Sequence, residues 1–180
     1  LDCISAERIQ EELAKLLAAP QPGAYLEPAV LAVVLPELIP ESLTAAKPVV
    51  DACPAGEENL PVRWAALLGA LGEADTRRVL KRLRCSNACI EETAVLVRET
   101  AGQGVCRSFS EEKASAHPGD FHIRQLLGRY GLRTVERLCA LCAALHPQDA
   151  PDCALAAQRA RQLEADGVCC RVSQLAVNGR

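Results

Sequence analysis

Apolar residues recur along most of the chain at intervals of three and four, the spacing of helices that bury one face. Ile9, Leu13, Leu16 and Leu17 mark one face of a first helix. Ser5 is placed to cap it, Glu7 lies where the helix dipole favours an acid, Glu11 and Lys15 form an i,i+4 pair, and Pro20, Pro22 and Gly23 end it. A second, short helix is predicted from Pro28 to Leu35, with proline in its first turn. Pro36 and Pro40 interrupt the pattern. Residues 41–59 are weakly patterned, with a helix opening at Pro48. Leu60, Trp64, Leu67, Leu68 and Leu71 then form a strong helical stripe, with Asn59 as cap and Gly72 as terminator. A basic helix follows, turning Val79, Leu80 and Leu83 inward, and Ser86 opens another through Ile90, Ala94 and Val97 to Gly102.

Residues 102–119 are rich in Gly, Ser and charge and read as a loop or module junction. Asp120 is placed to cap a helix through Ile123, Leu126 and Leu127 to Gly131. Val135, Leu138, Cys142 and Leu145 mark the next, ending at Pro147, and Asp152 to Asp166 the last, closed by Gly167. In the tail, Val168, Cys170 and Val172 alternate only locally. No internal repeat of fixed period is visible. The expectation is all-α: an irregular multi-helix array.

Composition sharpens this. Apolar residues make up 49% and charged residues 24% of the 180 residues, a globular balance, while aromatics are 3%. The core must therefore be aliphatic, and the scarcity of aromatic and β-branched residues argues against a large sheet. The net charge of −3 leaves nucleic-acid contact to local patches. No apolar run approaches the roughly 20 residues of a membrane span, and Leu1-Asp2-Cys3-Ile4 does not look like a secretion signal. With no Met and a beginning inside a helical pattern, the chain reads as a piece of something longer, placed in the cytoplasm.

Ten cysteines invite a metal or disulfide reading, but their spacing opposes it. Cys139 and Cys142 lie on an apolar helix face, Cys169 and Cys170 are adjacent, and Cys85 and Cys89 are one helical turn apart. Zinc prefers two close ligand pairs in a tetrahedral array, so the thiols read as small buried apolar groups in a reducing compartment. His117, His122 and His146 lack partners at ligand spacing, and there is no glycine-rich phosphate loop. No catalytic residue and no metal ligand is assigned.

Three stretches go further. Ile4-Ser5-Ala6-Glu7-Arg8-Ile9-Gln10-Glu11-Glu12-Leu13-Ala14-Lys15-Leu16-Leu17 resembles the I-S-x-E-R-I-x-x-E-L-x-K-L-L helix of bacterial CCA-adding tRNA nucleotidyltransferases and their poly(A) polymerase relatives. Val30 to Leu38 is similar to the V-L-x-x-I-P-E-L segment that follows it there. Val62-Arg63-Trp64-Ala65-Ala66-Leu67-Leu68-Gly69-Ala70-Leu71-Gly72-Glu73 resembles R-x-A-A-L-L-H-D-I-G-K, with Gly69 and Ala70 where the metal-binding His and Asp would stand. Leu175 to Arg180 resembles the L-x-x-N-G turn near the family's C-terminal region.

The resemblance implies a C-terminal region of the poly(A) polymerase type. Residues 1–50 would be a neck-like segment, 51–110 body-like helices with a degenerate His-Asp motif, and 111–180 a truncated body and tail. It implies a parent enzyme, a CCA tRNA nucleotidyltransferase, whose Mg2+ ions and CTP or ATP are held in a catalytic head. The head's Gly-Ser turn, D-x-D pair and E-D-x-x-R motif do not occur here, so this segment would not add nucleotides. Its partners would be tRNA and the enzyme's own N-terminal head, with no membrane. Ser5, Glu7, Arg8 and Glu12 would brace the neck. Arg77, Arg78, Lys81, Arg82 and Arg84, with a looser set of Arg124, Arg129, Arg133 and Arg137, are the candidates for phosphate contact. The alternative is a helical protein-interaction module derived from a degenerate His-Asp phosphohydrolase. An active hydrolase of that kind is opposed by Gly69 and Ala70.

Overall fold

The structure, a computed structural model, describes residues 4–101 and 119–167. Among the described residues all regular structure is helical, and the fold is all-α. The chain divides into two compact units, Leu1–Gly102 and Gln103–Arg180. The tail alternation, the Leu175–Arg180 turn, nearly all of the junction loop, His117, Cys3, Cys106, Cys169 and Cys170 lie outside the described residues.

In the first unit, α1 (Ala6–Ala18), α2 (Pro28–Val34), α3 (Pro40–Ala52), α4 (Leu60–Leu68), α5 (Gly72–Arg82) and α6 (Asn87–Thr100) follow one another. Helix α4 is the centre: every residue from Pro61 to Leu68 is buried, and α1, α3 and α6 all pack on it. Helices α5 and α6 lie against each other and contribute Val79, Leu80, Ile90, Ala94, Leu96 and Val97 to the core. Fully burying one such aliphatic side chain stabilises the fold by about 1.5–3 kcal/mol. With Trp64 as the one large ring inside, this core is aliphatic, as the composition requires.

The second unit packs α7 (Gly119–Tyr130), α8 (Leu132–Leu145) and α9 (Ala150–Ala165) against one another. Its core uses Ile123, Leu126, Leu127, Val135 and Leu138, then smaller groups: Cys139, Cys142, Cys153, Ala156, Ala157 and Ala160. Small side chains let α8 and α9 approach closely, and cysteine fills such sites as a compact apolar residue.

Four local expectations are corrected. The weakly patterned stretch is helix α3, which opens with Pro40 at its first turn and runs through Pro48. Proline at 48 removes one backbone donor, yet the helix persists because Leu43, Ala46 and Val50 bury a face at i, i+3, i+7. Lys15 pairs with Glu12 at 3.0 Å, not with Glu11. Asn59 occupies the cap position of α4 without a capping bond; its side-chain amide donates to the Ala55 carbonyl instead. Helix α7 begins at Gly119, one residue before the expected Asp120 cap, so that position 120 lies within the helix. The Ser86 cap is formed as expected, accepting from the Cys89 N–H at 3.3 Å.

Candidate nucleic-acid interface

The neck-like motif forms the exposed start of α1. Ser5 Oγ accepts the Arg8 N–H at 3.3 Å. Glu7 meets Arg84, which lies just past the end of α5 at a positive φ of 58°, at 2.9 Å. The Glu7 carboxyl is held below its usual range, chiefly by a backbone hydrogen bond, with help from Arg84 and Ser5 against partial desolvation. Arg8 and Glu12 edge an open apolar groove of about 280 Å3, lined also by Ile4, Ile9, Leu13, Leu16 and Val34.

Helix α5 divides its cations into two kinds. Arg77 reaches Glu73 on its own helix at 3.1 Å and Glu91 on α6 at 2.5 Å. These bonds, the Glu91 one foremost, raise the Arg77 pKa and lower that of Glu91. Arg82 grips the Glu37 carboxylate through Nε at 3.1 Å and Nη2 at 2.8 Å, and also donates to the Val34 carbonyl at the end of α2. These two arginines join elements. Arg78, 71% exposed, pairs among the described residues only with Asp75 of its own helix. Lys81 is exposed and has no ion pair among the described residues. Arg78 and Lys81 are therefore the outward cations of this face, whereas Arg84, though exposed, is tied to Glu7 of α1. An exposed ion pair contributes about 0–1 kcal/mol, so phosphate can replace Asp75 at little cost.

The looser set is dispersed within the second unit. Arg124 is half-buried and Arg137 is only 6% exposed, so Arg137 presents no charge to solvent. Arg129 lies over the Tyr130 ring, 5.8 Å from its centre, and Arg133 is exposed. Gly69 and Ala70 stand exposed in the turn after α4, and a Cβ added at Gly69 would meet nothing within 4 Å. Among the described residues no group of three or more His, Cys, Asp or Glu side chains could hold a metal ion.

Sequence reasoning assigned no role to Arg63. Its side chain is 1% exposed, and all three guanidinium nitrogens are engaged. Nη1 donates to the Leu17 and Ala19 carbonyls at 2.5 Å each, Nη2 to Cys53 O at 2.9 Å, and Nε to Pro54 O at 2.9 Å. Burial pulls its pKa down, opposed by the charges of Cys53 and Asp51. The available signal was an arginine inside an otherwise apolar run, Leu60-Pro61-Val62-Arg63-Trp64-Ala65-Ala66-Leu67-Leu68. A long cation there must find oxygens.

These features define a helical protein with an inward arginine clamp and a modest outward cationic face. Known sequences narrow the class. The chain is 31% identical over 106 residues to a "Multifunctional CCA protein" of Pseudomonas putida, covering 58% of this chain and 28% of that protein. It is 30% identical over 106 residues to a "CCA-adding enzyme" from another strain of that species, with the same coverage. It is 32% identical over 111 residues to the "CCA-adding enzyme" of Pseudomonas entomophila, covering 56% and 29%. The chain is thus related to the CCA-adding enzyme family, and it spans less than a third of the length of these relatives. No family model and no solved structure matches it.

Proposed function

We propose that this chain is the tRNA-binding and positioning part of a CCA-adding tRNA nucleotidyltransferase, acting in tRNA 3′-end processing, and does not itself transfer nucleotides. The observation that carries this reading is the match to three CCA-adding proteins over more than half of the chain. The cations that face outward without an ion pair to another element among the described residues, Arg78 and Lys81 on the first unit and Arg129 and Arg133 on the second, support it. They suit phosphate contacts, which give affinity without reading sequence. Arg77, Arg82 and Arg137 are withdrawn from that role by their ion pairs or burial. The scattered aromatics leave no row of rings for stacking single-stranded bases, which fits recognition of a folded RNA by its shape. Nucleotide selection and the magnesium-assisted displacement belong to a catalytic head, which this segment would orient through α1.

The test is tRNA binding by fluorescence anisotropy across a salt series, with nucleotide incorporation assayed in parallel. The reading expects binding that weakens steeply with salt and no incorporation by this chain. Binding that ignores salt, or incorporation without a head, would refute it.

A further inference from the structure

We propose that Arg63 is a positioning residue: it locks the C-terminal ends of α1 and α3 onto α4 and so fixes the direction in which α1 leaves the helical body. The geometry stands on its own; its consequence for the enzyme rests on the reading of α1 given above.

Helix α1 buries only two side chains, Leu13 and Leu17, while Ile9 and Leu16 face the open groove. Two leucines supply affinity without direction, because apolar contact is non-directional. Hydrogen bonds supply the direction. The last carbonyls of a helix have no partner within it and carry the negative end of its dipole. Two such ends, at Leu17 and Ala19 of α1 and at Cys53 and Pro54 of α3, converge on one guanidinium. The Gly56 N–H adds a bond to the Ala18 carbonyl at 3.0 Å, so three successive carbonyls at the end of α1 are held. Only a planar fork of fixed donors spans both helix ends, and a lysine ammonium cannot. If Arg63 merely filled space, an unbranched apolar side chain would serve equally well.

The experiment measures the α1–α6 distance in the whole chain. Nitroxides are attached through unnatural amino acids at the exposed positions Glu11 and Asn87 and read by pulsed electron resonance, with helicity and Trp64 fluorescence as folding controls. The wild-type distribution should be narrow. Arg63→Lys and Arg63→Ala should both broaden it, and methylguanidinium should narrow the Arg63→Ala distribution and raise its melting temperature where methylammonium does neither. If Arg63→Ala does not fold, Arg63→Lys keeps charge and bulk and still decides the question. A wild-type width in the Lys variant, or equal rescue by the two cations, would overturn the proposal. The measurement contains no RNA, so failure of tRNA to bind would leave its outcome untouched.

Discussion

Helices α4 and α5 are neighbours in sequence and use arginine in opposite ways. On α4, Arg63 is buried, and every bond it makes is to a backbone carbonyl at a helix end. On α5 the arginines lie at or near the surface and meet carboxylates, some on other elements and some on the same helix. The side chain is the same; burial and the chemistry of its partners decide the role. An inward arginine is part of the framework, whereas an outward one whose only partner is a neighbour on its own helix is available to a ligand. Counting basic residues along α5 therefore overstates its capacity for phosphate, and passing over Arg63 understates what holds α1 in place.

This contrast can be broken experimentally, beginning where the effect is largest. Arg63→Met should destabilise the chain by roughly 3–5 kcal/mol, because it leaves several carbonyls without a donor in the interior; urea denaturation followed by Trp64 fluorescence measures this. Next comes pH. Burial pushes the Cys53 and Cys85 thiols up to about 12, with the Arg63 charge acting the other way on Cys53. A thiol with a raised folded pKa stabilises the fold fully below its unfolded value of about 8.5 and loses that contribution as pH climbs towards the folded value. Stability should therefore fall between about pH 8.5 and 12, and replacing both cysteines with alanine should flatten part of that decline. Ser5→Ala removes the α1 cap and should cost about 1 kcal/mol, read as a lower melting temperature. Smallest of all, Arg78→Ala with Lys81→Ala should change stability by less than about 0.5 kcal/mol while weakening tRNA binding and lowering its salt slope by up to about 2.

Much of this architecture was legible in the chain. The stripes around Leu13, Leu67, Leu80 and Leu138 each became a helix with those leucines inside or nearly so, because apolar spacing at the helical period reports the buried face directly. The Ser5 and Ser86 caps were readable for a similarly local reason. Helix α3 was hidden because two prolines punctuate it, and tertiary packing of Leu43 and Val50 outweighed the lost backbone bond. The ion pairs were less legible still. Glu37 and Arg82 are 45 residues apart, and nothing local in the sequence says which arginines will be consumed across elements. Arg137 shows the same limit: its position in α8 makes it buried, although its letter alone suggests surface. The clamp at Arg63 was half visible, as a charge in an apolar run whose oxygen partners emerged only when α1 and α3 came together.

The proposed hold of Arg78 and Lys81 on tRNA phosphates is decided by one titration. Affinity for tRNA is measured from low to moderate salt for the unaltered chain and for the Arg78→Glu, Lys81→Glu double variant. The claim predicts a straight decline of log affinity with log salt whose slope is shallower in the variant by up to about 2. Identical slopes in the two proteins, or affinity indifferent to salt, would contradict it.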